Sequence, residues 1–264
     1  MDLQDDEIET NSNESNIDES EASDELLNEW NFDESFSSYN YKDKPAYLKN
    51  KSIKPFAVQI LASRNTGKSY LAQHLLKTKF KGKFDLICIF SNTIGSGFYD
   101  FIESDLKFHS FEPEILAELI EEVDSVKEEF GTYPNTLVIF DDCNGKKVKN
   151  SEDIERLFTL GRHKGISILF ISQAAKFSNS SWRSNTTHLF LLQMKGTSLD
   201  FAKENYLDDL IDKDDIPEGM KITTRDYLQK VIKWVFSEKY RMIVVEYEKT
   251  CNNFYDNVKF WKVQ

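Results

Sequence analysis

VQILASRNTGKSYL, residues 58–71, carries an apolar run into a polar loop that ends in Gly67-Lys68-Ser69, and a helix-like stretch follows. The eight residues Ala62-Ser63-Arg64-Asn65-Thr66-Gly67-Lys68-Ser69 fit the pattern GxxxxGK[ST] at every fixed position but the first, where alanine replaces glycine. In that pattern backbone N–H groups and a helix start cradle phosphates, the lysine reaches the outer phosphates, and the hydroxyl meets Mg²⁺. Gly67, which lets the backbone close on the phosphates, is present, and Ala62 adds only a methyl at the strand end. A buried strand before the loop and a helix after it are the context this mechanism requires. The loop is expected to bind ATP with Mg²⁺, with Ser69 as a metal ligand.

Working outward from the loop, apolar runs alternate with amphipathic stretches. Residues 56–62, 84–91, 135–142, 166–173 and 188–193 read as buried strands. Between and after them, residues 67–79, 112–130, 151–165, 198–208 and 225–236 carry helical spacing, and 240–248 and a short final segment read as strands. Pro113 at a helix start, and Ser151 followed by acids in the first turn, mark two helix entries. Continuous apolar strands separated by helices predict an α/β fold: a mostly parallel sheet covered on both faces, with ligands at the carboxyl ends of the strands.

The charge is unevenly distributed. Fourteen of the 45 acids lie in residues 1–40, which hold no Lys or Arg, so residues 41–264 carry 31 acids against 33 bases. The acidity belongs to the tail, and a near-neutral body is compatible with a nucleic-acid partner. Few apolar residues and many Asp, Glu, Ser and Asn predict disorder over residues 1–45, with the folded domain over 46–264. The tail reads either as a solubilising segment or as a docking peptide, with Leu26, Leu27, Trp30 and Phe32 as anchors. There is no basic start with an apolar segment, and no apolar run approaches the ~20 residues that span a bilayer, so no membrane insertion is expected. Cys88, Cys143 and Cys251 are scattered and read as free thiols. The four histidines (His74, His109, His163, His188) show no metal-binding spacing.

Asp141 and Asp142 close the run LVIF. Either Asp141 holds Mg²⁺ and Asp142 polarises the attacking water, or the pair caps a loop.

The segment LFTLGRHKGISILFISQAAKFSNSSWRSNTTHLFLLQ, residues 157–193, resembles that of FtsK/HerA-type DNA-pumping ATPases. The matching residues are Gly161, Arg162, Gly165, Ile166, Ser172 and Gln173. Size and the Asp-Asp strand end are most similar to the genome-packaging ATPases of large DNA viruses, poxviruses included. The resemblance spans residues 53–195. It implies a RecA/ASCE-like P-loop NTPase in which the Gln-bearing strand lies between the phosphate-loop strand and the Asp-Asp strand. Gln173 would then face the γ-phosphate as a sensor. Arg162 is implied as a finger acting on a neighbouring subunit, with Arg183 second and Arg64 as a candidate within its own site. The chain departs from cellular members at Ala62 for Gly, Ser172 for Thr, and Asp142 for Glu.

Two segments beyond the strand ends carry positive charge: Lys146, Lys147 and Lys149, then Lys176 and Arg183. Facing the channel of a ring, they would touch DNA phosphates; otherwise they are solvated loops. The function expected is an ATP-driven motor that packages double-stranded viral DNA into a capsid. It would work as a homo-oligomeric ring beside a capsid or portal protein, in the host cytoplasm, the virion, or both. The alternatives are a P-loop NTPase of another class, such as a small kinase or switch, and a nucleotide-binding scaffold that has lost hydrolysis. The last seventy or so residues are too few for a terminase-type nuclease domain.

Overall fold

The computed structural model describes residues 30, 36, 38–39, 52–247 and 253–263. Ten strands are seen among them: β1 Ser38–Tyr39, β2 Ser52–Ile53, β3 Ala57–Leu61, β4 Leu86–Ser91, β5 Lys107–Phe108, β6 Thr136–Asp141, β7 Ile166–Ser172, β8 His188–Leu191, β9 Arg241–Glu246 and β10 Val258–Lys262. The main helices are α1 Lys68–His74, α2 Pro113–Phe130, α3 Lys146–Lys149, α4 Glu152–Leu160, α5 Ser180–Ser184, α6 Thr197–Ala202 and α7 Thr224–Val235.

Eight strands form one sheet in the order β10-β9-β8-β3-β7-β6-β4-β5. From β8 to β5 all neighbours are parallel, while β9 runs antiparallel to both β8 and β10. β7 lies between β3 and β6, as the resemblance implied, so the ends of all three strands meet at one edge. Helices cover both faces, which is why β3, β6 and β7 are buried at every residue. Alternation divides each strand between two cores. Val58 and Ile60 pack with Leu71 and Leu75 on one face, while Ala57 lies in the opposite core with Phe140, Phe170 and Trp182.

Local chemistry fixes both ends of α4. Ser151 Oγ accepts from the Ile154 amide at 3.3 Å, capping α4. After α4 the chain tightens into a 3₁₀ turn over Gly161–Lys164 and enters β7 through Gly165 at φ 71°. A side chain at Gly165 would also fall 2.8 Å from the Pro134 carbonyl oxygen, so glycine is required there twice over.

The acidic tail expected over residues 1–45 lies outside the described residues, except for residues 30, 36, 38 and 39. Trp30 and Phe36 are each 5% exposed, in the same core as Val58 and Phe190. β1 pairs with β2 in a small antiparallel ribbon. Trp30 packs into this chain's own core. Its indole Nε1 donates to Glu246 Oε1 at 3.1 Å, and its ring lies 4.7 Å from that of Trp261.

Candidate active site

The loop from Ala62 to Ser69 leaves β3 at the carboxyl edge of the sheet. Ala62 is fully buried, with its N–H donating to Ser172 O at 3.2 Å and its side chain in the core with Leu71 and Leu75. Its methyl therefore faces inward, which explains why the missing first glycine is tolerated. Asn65 at φ 61° and Gly67 at φ 102° both adopt left-handed backbone. Such turns aim successive N–H groups into one concavity suited to an anion. Thr66 Oγ1 donates to Ser63 O at 2.8 Å and ties the loop across its base.

Residues far apart in sequence converge on this loop. Lys68, 7% exposed, forms an ion pair with Asp142 Oδ1. Gln173 Nε2 donates to Asp142 Oδ2 at 2.7 Å, and Arg64 Nε donates to Gln173 Oε1 at 3.3 Å. Arg64, Gln173, Asp142 and Lys68 thus make one continuous polar chain across the ends of β3, β7 and β6. Asp142 occupies left-handed backbone at φ 51°, and Asn92 Nδ2 steadies it by donating to its carbonyl at 2.9 Å. Aspartate tolerates that conformation better than a longer side chain.

Asp141 ends β6 beside Ser91 in β4, its register partner. Its Oδ2 accepts from Tyr99 OH at 2.9 Å and, at longer range, from Ser91 Oγ at 3.4 Å and Thr93 Oγ1 at 3.5 Å. Burial pushes the Asp141 carboxyl above its ordinary range, opposed chiefly by the charge of Lys68 and the Tyr99 hydrogen bond. Tyr99 is itself pushed well up, by burial first and by the Asp141 charge second. Local motif reading missed Tyr99, Ser91 and Thr93. The available signal was the polar Ser91-Asn92-Thr93 closing an apolar strand.

The other expected site residues divide. Ser69 is exposed at the start of α1. Lys146, Lys147 and Lys149 are exposed, on a single helical turn rather than a loop, with Val148 buried beneath them. Lys176 is exposed on a 3₁₀ turn past β7. Arg183 is engaged within the chain: Nη1 donates to Ser178 O at 2.6 Å, and the guanidinium lies 5.3 Å from the Phe201 ring centre. Its neighbour Trp182 is fully buried and stacked on Phe158 at 5.2 Å, so much of the segment that carries Lys176 and Arg183 is packed structure. Arg162 sits in the turn before β7, at the opposite edge of the sheet from Gln173. The seven residues of β7 separate those edges by roughly 20 Å, so Arg162 does not join this chain's own site.

The family model described as "Poxvirus A32 protein" matches residues 47–253. The chain belongs to the poxvirus A32 protein family. Among relatives, this A32-family chain is 25% identical over 206 residues to "Uncharacterized protein 015R" of Frog virus 3 (isolate Goorha). That match covers 76% of the A32-family chain and spans only 59% of the frog virus protein's length. Among solved structures it is similar to B204, the DNA-packaging ATPase from Sulfolobus Turreted Icosahedral Virus. The TM-score is 0.55 and the identity 15%, over 80% of this chain and 99% of that one. The genome packaging NTPase B204 from Sulfolobus turreted icosahedral virus 2, in complex with AMPPCP, gives a TM-score of 0.54 at 14% identity, over 80% and 98%. ATPases 2 and 3 of EssC from Geobacillus thermodenitrificans give 0.50 at 13%, over 86% and 44%. At these identities the likeness is one of fold, and the A32-family chain has the P-loop ATPase architecture.

Proposed function

We propose that this chain is an ATP-hydrolysing motor that drives double-stranded viral DNA into a capsid, working as a homo-oligomeric ring. The observation that carries the reading is the convergence of Lys68, Asp142 and Gln173 on the phosphate loop. A triphosphate seated there would meet the loop amides and Lys68, with Gln173 and Asp142 at its outer end. Asp142 would orient the attacking water and accept its proton, and Gln173 would sense the γ-phosphate. Ser69 and Asp141 offer oxygen donors, the chemistry Mg²⁺ prefers, and Mg²⁺ commonly takes one or two carboxylates plus substrate phosphates. When bound it would neutralise charge on the β- and γ-phosphates.

Arg162, at the far edge, would serve as a finger only for a neighbouring copy, which is why the reading includes a ring. Arg64 is the candidate within its own site, one hydrogen bond from Gln173. Lys146, Lys147, Lys149 and Lys176 would line the DNA path, with Arg183 a weaker candidate because its guanidinium is already engaged. The B204 proteins, which share the fold, are genome-packaging NTPases, and this supports the choice of DNA as cargo. A folded ATPase domain over residues 46–264, with Trp30 and Phe36 added to it, would act with a capsid or portal protein at the site of virion assembly in the host cytoplasm.

The test is ATP hydrolysis with and without long duplex DNA, in wild type, Lys68→Ala and Asp142→Asn. DNA-stimulated turnover lost in both variants supports the motor. Turnover indifferent to DNA points to a P-loop NTPase of another class, and tight ATP binding without turnover points to a scaffold.

A further inference from the structure

Two exposed aromatic side chains stand side by side at the phosphate loop. Tyr70, 50% exposed, directly follows Ser69, and Tyr240, 37% exposed, precedes β9. Their ring centres are 6.0 Å apart at an angle of 40°. Tyr240 lies so close to the loop that a Cβ placed on Gly67 would fall 2.6 Å from its Cδ1. It reaches this position because β9 runs antiparallel to β8, with Leu191 opposite Ile243, so the start of β9 lies at the carboxyl edge. Tyr240 also holds left-handed backbone at φ 68°, which bulky L side chains rarely adopt. A strained backbone beneath an exposed ring is more often a feature of ligand sites than of plain surface.

The strand order gives the pair a direction. Asp142 and Gln173 lie on the β7–β6 side of β3, and in the reading above they face the outer phosphate. The opposite end of the nucleotide would then extend across β3 towards β8 and β9, where the tyrosines stand. We propose that Tyr240, with Tyr70 beside it, forms the stacking wall for the base of the bound nucleotide. The inference rests on that proposed nucleotide site and adds to it the recognition of a planar heteroaromatic ring. Lys239 Nζ, 4.9 Å from the Tyr240 ring centre, holds that ring in place through cation–π attraction. Because every base presents a π-face, the wall would accept purines and pyrimidines alike.

Binding of AMPPCP and of inorganic tripolyphosphate, both with Mg²⁺, by the full chain tests this. Tyr240→Ala is expected to weaken AMPPCP by about tenfold, with Tyr240→Phe unchanged and Tyr70→Ala intermediate. Tripolyphosphate, which has no base, should bind all four proteins within about twofold of one another. Tyr70→Ala, at an exposed position, gives a reading even if Tyr240→Ala does not fold. Equal weakening of both ligands by Tyr240→Ala would mean that the ring merely props Gly67, and would overturn the wall. AMPPCP binding that no variant changes overturns it as well. Wild type that binds neither ligand overturns the nucleotide site itself, and the wall with it.

Discussion

Lys68 and Asp142, 74 positions apart in the chain, meet as an ion pair, and Asp142 reaches it from left-handed backbone. Asp142 is thus constrained twice, by charge and by φ. Asparagine satisfies the backbone without the charge. Glutamate keeps the charge but not the backbone preference. Asp142→Asn should lose hydrolysis by about 10²-fold or more with the fold retained. Asp142→Glu should cost about 1–2 kcal/mol of stability, read as a lower urea midpoint. Equal stability of wild type and Asp142→Glu would show that the turn does not constrain this residue.

Gln173 bridges Asp142 and Arg64, and a hydrogen bond to a charged group contributes about 1.5–3 kcal/mol. Gln173→Ala should therefore lower kcat by about 10- to 100-fold while leaving nucleotide affinity within about threefold. Steady-state kinetics beside equilibrium binding checks the split. A variant that loses affinity and keeps kcat would place Gln173 in ground-state binding instead.

Lys146, Lys147 and Lys149 project from one helical turn whose only buried side chain is Val148. Replacing all three with alanine should flatten the salt dependence of duplex DNA binding by up to ~2.7 log units per log salt. Binding isotherms over a salt series measure the slope, and an unchanged slope removes this turn from the DNA path.

Trp182 is fully buried between Phe158 and Phe170, with ring centres at 5.2 and 5.3 Å. Trp182→Ala should cost about 3–5 kcal/mol in urea unfolding. Arg183→Ala, which removes one bond to Ser178 and a ring contact, should cost far less. If the two variants proved equally stable, the segment would not be packed.

Burial pushes the thiols of Cys88 and Cys143 up to about 12, from an ordinary value of 9.0. For Cys143 the Asp141 charge adds to burial. Above pH 9.0 the unfolded chain releases these protons while the folded chain keeps them, so stability falls as pH rises from about 9 towards 12. Cys88→Ala should reduce that alkaline loss, measured as urea midpoints across the same range. Cys88 and Cys143, both buried, should also resist iodoacetamide at pH 8 until the chain is unfolded. Rapid alkylation of Cys88 in the native chain would contradict its burial.

Local strings revealed what depends on neighbours in sequence. The phosphate loop, the strand ending in Asp141 and Asp142, and the capped start of α4 each carry their cause within a few residues. The order β3-β7-β6 came from resemblance, since no spacing dictates which strand inserts between two others. Tyr99 and Tyr240 were invisible because their roles arise from packing across the sheet, to Asp141 in one case and Gly67 in the other. α5 had a faint signal in Asn179, whose side chain accepts from the Trp182 amide at 2.8 Å, but five residues carry too little periodicity to register. The burial of Trp30 was not legible in composition, which averages over a window, whereas a single indole acts at a point.

That indole has a consequence for how the molecule is made. Trp30 leaves the ribosome 216 residues before its partner Glu246, and its neighbours Phe260 and Trp261 follow later still. Its hydrogen bond to Glu246 closes a span of 216 residues, so this part of the core stays incomplete until that span has been made. The nascent chain can build its phosphate loop early, but it seals the sheet only after translation has delivered β9 and β10.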